Sequence, residues 1–131
     1  MILDHIGVAT NSIEQSVIAY EALGYKAGEI FTDKLQNVKL CFLKKNNNMQ
    51  IELVEAIDNT SPVIKHLKKN GVSPYHTCYR VNNIKEKITE LKKKSFIIIS
   101  EPKKAIAFDY QYVCFLYHKN IGIIELLEVK E

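Results

Sequence analysis

Hydrophobic and polar positions along the chain follow one pattern, and the pattern occurs twice. In the first half a short apolar strand precedes an amphipathic stretch of helical spacing, and three runs of strand character follow at about 26–31, 37–44 and 49–56. The second half repeats this order, with strand-like runs at about 96–100, 110–118 and 122–129. The sequence therefore predicts a strand–helix–strand–strand–strand unit used twice.

Short motifs also recur at matching places in the two halves. LCFL at 40–43 returns as VCFL at 113–116, and IELVE at 51–55 returns as IELLE at 124–128, both 73 positions later. His5 falls on His76 at a displacement of 71. Two matches in one register indicate an internal repeat, and the small slip predicts a two-residue insertion in an intervening loop.

Both predicted helices begin with a capping signal. Ser12 is followed three residues later by Gln15, and Asn83 is followed three residues later by Glu86. In such a pair the first side chain accepts a hydrogen bond from a backbone N–H of the first turn. Each half is therefore expected to start its helix at the same place.

The segment between the two halves is predicted to be a linker helix. Ser61 and Pro62 would open it as N-cap and first-turn proline, and Gly71 would close it. The expected fold class is α+β, with two tandem βαβββ modules forming a curved eight-stranded sheet around a cavity and the helices on the outer faces. We expect one domain over residues 1–131, divided into module 1 (about 1–57), the linker helix (about 58–73) and module 2 (about 74–131).

Composition narrows the class of protein. The 131 residues suit one domain, and 47% hydrophobic with 25% charged residues is typical of a globular protein. Three cysteines lie inside apolar runs, and this odd number favours a reducing compartment over a disulfide framework. Without a recognisable targeting signal or an apolar stretch of about 18 residues, the chain is expected to be complete and cytoplasmic, with no membrane partner.

The net charge of +3 comes from short lysine clusters at 44–45, 68–69, 92–94 and 103–104. Their spread is too diffuse for nucleic-acid binding. A solvated surface is the favoured interpretation, and the alternative is that one cluster meets an anionic small molecule such as a carboxylate or a phosphate.

The repeat places a histidine at the head of each first strand and a glutamate within each last strand: His5 and Glu52, then His76 and Glu125. Strand alternation puts Glu52 and Glu125 on faces shared with aliphatic residues, where a carboxylate is costly to bury unless its charge is compensated. Singly, each residue has an ordinary explanation, either a core histidine bonded to a backbone carbonyl or a strand glutamate facing solvent. Occurring together in both repeats, the four predict one divalent metal site with positions left for water or substrate.

Other polar residues are weaker candidates. His66, beside lysines of the linker helix, and His118, in a hairpin, are expected to be surface residues. Cys78 and Arg80 should share a face with His76 and could line the cavity. Arg80 could hold a substrate carboxylate, or it could be a surface arginine at a strand end.

The runs LDHIGVATNSIEQSVIAY, IELVEAIDNTSPVIKHLKKNG, PYHTCYRVNNI and GIIELLE resemble the vicinal oxygen chelate superfamily over essentially the whole chain. Within it the chain looks most like methylmalonyl-CoA epimerases and short bacterial glyoxalase I enzymes. The resemblance implies the paired βαβββ fold of the glyoxalase/bleomycin-resistance type and a homodimer. It also implies that His5, Glu52, His76 and Glu125 are the metal ligands.

The implied chemistry is stabilisation of an enediolate or enolate while a carboxylate, Glu52 or Glu125, shuttles a proton. Epimerases of this family resemble one another in an extra glutamate before the third strand, in a motif ending Gly-Val, where this chain has Lys34-Leu35-Gln36-Asn37-Val38. That absence favours a glyoxalase I-like lyase that isomerises a 2-oxoaldehyde thiol hemithioacetal to a 2-hydroxyacyl thioester. The alternatives are a methylmalonyl-CoA epimerase and a non-catalytic small-molecule binding protein, the latter disfavoured by the complete ligand set.

Neither the metal nor the arrangement of the site follows from the ligand types. Nickel, cobalt, manganese and zinc all accept nitrogen and oxygen donors. Among the proteins that this chain resembles, the site forms either within one chain or across two. The expected partner is a small-molecule thioester or hemithioacetal.

Overall fold

The computed structural model describes residues 1–130 and contains the two predicted βαβββ modules. The first comprises β1 (Ile2–Thr10), α1 (Ile13–Glu21), β2 (Lys26–Asp33), β3 (Val38–Lys44) and β4 (Gln50–Ala56). Helix α2 (Val63–Asn70) follows, and the second module comprises β5 (Ser73–Val81), α3 (Ile84–Lys92), β6 (Ile97–Ala105), a 3₁₀ turn (Ile106–Phe108), β7 (Gln111–His118) and β8 (Gly122–Glu128). The α+β class and the eight strands are confirmed. The domain limits stay a prediction, and Glu131, the end of predicted module 2, lies outside the described residues.

Strand order follows the duplication. The order is β2-β3-β4-β1-β5-β8-β7-β6, so each module places its first strand beside its last. Those two pairs, β1 with β4 and β5 with β8, are parallel, and the remaining pairs within each module are antiparallel. By its internal contacts the chain divides into two compact units, His5–Tyr75 and a second unit of Met1–Asp4 with the chain from His76 onward.

In the first unit the helix covers one face of the sheet. Ile13 of α1 is buried with residues of the sheet, and Val17 and Tyr20 pack against the same cluster. The sheet residues of this cluster are Val8, Cys41, Leu43 and Leu53. Because successive strand residues point to opposite faces, the neighbours of Cys41, Leu43 and Leu53 point away from α1. Phe42 and Glu52 are therefore on the other face.

The second unit is built in the same way. Ile84, Ile88 and Leu91 of α3 are buried at helical spacing against one face of the sheet. The sheet residues of this cluster are Val81, Cys114, Leu116, Ile124 and Leu126. Alternation again leaves Phe115 and Glu125 on the face that turns away from the helix.

Both predicted helix caps are confirmed. The Ser12 side chain accepts a hydrogen bond from the Gln15 backbone N–H (3.2 Å), and the Asn83 side chain accepts one from Glu86 (3.1 Å). The predicted cap of the linker helix is wrong by one residue, because α2 begins at Val63 with Pro62 in the N-cap position and makes no side-chain cap bond. The chain turns one residue later than expected, so the Ser61 hydroxyl is buried instead of capping the helix.

The two-residue slip between the repeats is divided: β6 has nine residues where β2 has eight, and five residues separate β6 from β7 where four separate β2 from β3, so only one of the two extra residues lies in a loop as predicted. Helices α1 and α3 start 71 positions apart, whereas β3 and β7 begin 73 apart. Strand β6 continues to Ala105, past the predicted end near residue 100, and its pairing with β7 shifts on either side of Ser100. Such shifts are the mark of β-bulges, which accommodate extra residues without breaking a sheet.

The three cysteines are buried thiols, as predicted. None of the helices described in residues 1–130 has the length and apolar character needed to cross a bilayer.

Candidate metal centre

The first unit brings His5 and Glu52 together. His5 of β1 pairs in register with Gln50 of β4, two residues from Glu52. The His5 Nε2 and Glu52 Oε1 atoms are 3.4 Å apart, and the two side chains are 0% and 3% exposed. Phe42 is the cross-strand partner of Glu52, and its ring stands edge-on to His5 with 5.6 Å between centroids. An imidazole and a carboxylate therefore lie side by side, with an aromatic ring packed against the imidazole.

The second unit repeats this arrangement. The His76 Nε2 and Glu125 Oε1 atoms are 3.2 Å apart, with side chains 1% and 3% exposed. Phe115 is the cross-strand partner of Glu125, and its ring stands edge-on to His76 with 5.2 Å between centroids. The internal repeat thus preserves a three-residue cluster in each unit, not only single residues.

Each pair has the chemistry of a metal ligand set. All four side chains are buried and each offers a nitrogen or oxygen donor. Two donors about 2.1 Å from one ion in near-tetrahedral geometry lie about 3.4 Å apart, which is close to the separation within each pair. A buried carboxylate needs a compensating charge, which a divalent cation supplies. The residues present therefore fit a divalent metal.

Phe42 and Phe115 were not identified from the sequence as parts of the site. The signal was present, because they are the third letters of LCFL and VCFL and are separated by the same 73 positions as Glu52 and Glu125. From the sequence alone the two motifs indicate only strands. Strand pairing, which places each phenylalanine opposite its glutamate, is what reveals their position.

A second glutamate in each repeated motif has a different role. The Glu55 Oε1 atom accepts a hydrogen bond from the Ile13 backbone N–H (2.7 Å), and the Glu128 Oε2 atom accepts one from Ile84 (2.9 Å). Both carboxylates thus bind the first turn of a helix, where backbone N–H groups lack helical partners. In IELVE and IELLE, only the first glutamate faces the candidate metal centre.

The remaining predicted histidines lie outside both pairs. His66 Nε2 is 2.8 Å from the Ser73 hydroxyl, and partial burial lowers the pKa of His66. His118 Nδ1 accepts a hydrogen bond from the Asn120 backbone N–H (3.1 Å). Each histidine thus takes part in a local turn or helix contact.

Arg80 and Cys78 differ in their surroundings. Cys78 is buried with Ala105, Val113 and Leu127. The Arg80 side chain is 43% exposed, and its Nε lies 3.5 Å from Asp4 Oδ1. Arg80 is therefore accessible to a ligand, while Cys78 belongs to the core.

The turn between β2 and β3 lacks the expected glutamate but is preceded by a buried carboxylate. Leu35 is 66% exposed, whereas Asp33 at the end of β2 is 3% exposed. Its two oxygens accept hydrogen bonds from the backbone and side-chain nitrogens of Gln36. Asp33 pairs with Val38, which pairs with Ala56, four residues from Glu52 on the same strand. Asp33 and Glu52 therefore share one face of the sheet.

The sequence matches a known protein family and curated proteins. The sequence model described as Glyoxalase/Bleomycin resistance protein/Dioxygenase superfamily matches residues 4–115. The mitochondrial methylmalonyl-CoA epimerase of Bos taurus is 31% identical over 128 residues, which cover 95% of this chain and 72% of that protein.

Solved structures share the fold over nearly the whole chain. Hypothetical protein BH1468 from Bacillus halodurans is 32% identical with a TM-score of 0.84, covering 98% of this chain and 94% of that one. A variant of Streptomyces coelicolor methylmalonyl-CoA epimerase, in complex with 2-nitronate-propionyl-CoA, is 22% identical with a TM-score of 0.86, covering 100% and 99%.

The expectation of glyoxalase I chemistry is wrong. Three curated relatives that each match across 95% of the chain are methylmalonyl-CoA epimerases, which supports an enzyme of the isomerase class and does not support a lactoylglutathione lyase. That expectation depended on the missing glutamate near Leu35 and Gln36. Its physical weakness is that each unit already carries a buried carboxylate on the sheet face away from its helix, so one absent side chain does not exclude proton transfer.

Proposed function

The chain belongs to the Glyoxalase/Bleomycin resistance protein/Dioxygenase superfamily, and on that premise we propose that it is a metal-dependent epimerase of methylmalonyl-CoA or a closely similar acyl-CoA thioester. The observation that carries the proposal is the duplicated buried histidine–glutamate pair. Inversion at a carbon acid needs two proton-transfer groups, and the duplication provides one buried carboxylate from each module.

His5, Glu52, His76 and Glu125 would together hold one divalent ion. Two imidazoles and two carboxylates balance its charge, and nickel, cobalt, manganese and zinc all accept such donors. When bound, the ion supplies electrostatic stabilisation of the negative charge that develops on a thioester oxygen.

The protein's own side chains would move the proton. The α-carbon of a methylmalonyl thioester lies between two carbonyl groups, so its proton is the acidic one. One of Glu52 and Glu125, as a carboxylate, would remove that proton, and the other, protonated beforehand by water, would give its own proton to the opposite face of the planar enolate. Phe42 and Phe115 exclude water from one side of each pair, which strengthens the electrostatic interactions there.

The test uses a single epimer of methylmalonyl-CoA in deuterated water. Metal-loaded protein is expected to interconvert the epimers and to place deuterium at the α-carbon, because the proton is exchanged with solvent through a carboxylate. Mass spectrometry reports the deuterium and chiral chromatography reports the epimer ratio. Protein treated with a chelator is the control, and it should lose the activity and recover it when metal is added back.

The absence of exchange and epimerisation with each of the four metals would overturn the proposed function. Binding stoichiometry is measured in parallel, and one metal per chain is expected if the two pairs share an ion. Half-occupancy or double occupancy would contradict the shared site.

Other sequence predictions extend this proposal. Arg80 is retained as a substrate-binding residue on the grounds of its exposure and charge. The homodimer is a further element, which sedimentation equilibrium tests. A cytoplasmic location also stays a prediction.

A further inference from the structure

A groove of about 890 Å³ lies in the second unit, along helix α3 and beside the start of the chain. Its lining includes Arg80 at the end of β5 and a stripe along α3 formed by Lys85, Thr89 and the C-cap residue Lys93. These three residues are four positions apart and exposed, and the C-cap keeps helical backbone angles, so they project on one side of the helix. The groove is therefore bordered by cationic side chains over two helical turns.

The charges around the groove leave a positive excess. The acidic lining residues are Glu86 and Glu90, and Glu90 is already bonded to Lys87 at 2.8 Å. That contact also lowers the pKa of Glu90, because the Lys87 ammonium stabilises the carboxylate. Because the Lys87–Glu90 pair has no net charge, the two positive charges of Lys85 and Lys93 exceed the one negative charge of Glu86.

Side chains, not the helix N-terminus, would hold an anion here. The backbone N–H of Ile84 is bonded to Glu128, and that of Glu86 is bonded to the Asn83 side chain. These two backbone N–H groups therefore already donate hydrogen bonds to side chains of the protein itself. A bound anion would therefore be met mainly by the lysine and arginine side chains.

The groove also has an apolar component. Val81, Val129 and Ile2 line it, and Ile2 is 59% exposed. A ligand that fits both parts carries separated anionic groups together with a flat, weakly polar ring. A phosphorylated nucleoside has this combination.

The position of Arg80 relates the groove to the candidate metal centre. Arg80 and His76 lie on the same strand, four residues apart, and alternation places them on the same face. Four strand residues span about 13 Å. Helix α3 packs on the opposite face, but Arg80 and Val81, neighbours that point to opposite faces, both line the groove, so the groove includes the end of β5. A ligand with a flexible arm that passes this strand end can place one end at His76 and its anionic end in the groove.

We infer that this groove binds the phosphorylated nucleotide end of an acyl-CoA thioester, with Lys85 and Lys93 contacting its phosphates. The inference rests on the proposed function for the identity of the thioester. Two lysines at i and i+8 have long side chains that suit two separate phosphate groups, the 3′-phosphate and the diphosphate.

The first experiment measures binding without turnover. Adenosine 3′,5′-bisphosphate is titrated calorimetrically into the full chain, into a Lys85→Ala/Lys93→Ala variant, and into a Lys92→Ala/Lys94→Ala variant as the matched control. The control removes the same charge from the same region, at residues outside the groove lining. The groove variant is expected to bind about threefold to thirtyfold more weakly, as two exposed ion pairs would give, and the control is expected to bind like the parent. Equal binding by all three proteins, or no binding by the parent, would overturn the inference.

The second experiment separates the nucleotide site from the chemistry. The KM for methylmalonyl-CoA is compared with that for methylmalonyl-pantetheine, which lacks the nucleotide. The Lys85→Ala/Lys93→Ala variant should raise KM for the CoA thioester by a similar threefold to thirtyfold, with kcat unchanged, and leave the pantetheine thioester unaffected. An equal rise for both thioesters would contradict the inference. If the parent turns over neither thioester but binds the bisphosphate, the proposed function fails and the groove assignment stands.

Discussion

The two modules are alike on one side of the sheet and different on the other. The inner clusters, His5 with Glu52 and His76 with Glu125, have nearly the same separations of 3.4 and 3.2 Å. The outer helices differ in charge, because at the 71-residue displacement Lys85 of α3 corresponds to Glu14 of α1 and Lys93 corresponds to Ala22. A cationic stripe is therefore present on α3 and not at the corresponding positions of α1.

This contrast shows which positions the duplicated architecture constrains. A buried imidazole and a buried carboxylate stabilise each other only at short distance. Replacing either one leaves the other buried without a compensating charge or hydrogen bond. Exposed helix positions make few packing contacts and tolerate a change of sign at little cost in stability. Each histidine–glutamate pair is suited to the same chemistry, whereas the exposed helix positions are free to acquire separate binding roles.

The largest expected effect comes from replacing the glutamate in one of the two inner histidine–glutamate pairs. Glu52→Gln and Glu125→Gln should each lower kcat for epimerisation about 10²- to 10⁴-fold, because each removes one proton-transfer group while keeping an oxygen donor. Steady-state kinetics and metal analysis of both variants are the measurements.

Two histidine variants are controls for this comparison. His66→Ala and His118→Ala should keep their metal content and kcat, because both residues lie outside the inner pairs. Full activity in either glutamine variant would show that the two modules do not share the proton transfer. Stoichiometric loss of metal in either histidine variant would show that the ligand set is misassigned.

A smaller effect is expected from the outer glutamates of the same motifs. Glu55→Ala and Glu128→Ala should each lower the free energy of unfolding by about 1–2 kcal/mol, because each removes a hydrogen bond to the first turn of a helix. Urea denaturation measures the change, and Glu21→Ala at the exposed end of α1 is the control. A loss of activity as large as that of the inner variants, with stability unchanged, would place these carboxylates in the site instead.

The smallest effect concerns the repeated cysteines, Cys41 and Cys114. Burial raises the pKa of both thiols, and with the negative charges of Glu125 and Glu101 it raises the pKa of Cys114 to about 12. Neither thiol should react with iodoacetamide at pH 8 in the native protein, whereas both should react in urea. Mass spectrometry of the alkylated protein gives the answer, and rapid native labelling of Cys114 would contradict it.

The raised pKa of Cys114 also predicts the direction of a pH effect on stability. Because the folded pKa lies above the unfolded one, the thiol contributes stability that is fully present below about pH 9 and is lost as the pH rises toward 12. Cys114→Ala should weaken this decline between pH 9 and 10.5 in urea denaturation. An unchanged slope would mean that another group is responsible.

Much of the fold was predictable because local signals agreed with one another. The capping pairs at Ser12 and Asn83 identified both helix starts, and the repeated strand motifs identified the modules. The linker cap at Ser61 and the end of β6 were predicted incorrectly. In both cases the boundary depends on how the backbone meets its neighbours and not on the local residue types.

The function was predicted incorrectly from one local absence. The glutamate expected near Leu35 and Gln36 is missing, and that absence alone favours glyoxalase I over the epimerase. A motif records where a carboxylate usually occurs along the chain, whereas proton transfer depends only on where a carboxylate lies in space. Asp33, buried two residues before Leu35, illustrates the difference.

The sequence by itself determined the duplication, the two histidine–glutamate pairs as candidates and the α+β class, because periodic patterns and repeated spacings are properties of the chain alone. Tertiary structure decided that the second glutamate of IELVE and IELLE binds the start of a helix, that Phe42 and Phe115 stand against the imidazoles, and that Lys85 and Lys93 border a groove with Arg80. These facts depend on strand register and on the packing of a helix against a particular face of the sheet. Both are set by contacts between residues far apart in sequence, which no local pattern encodes.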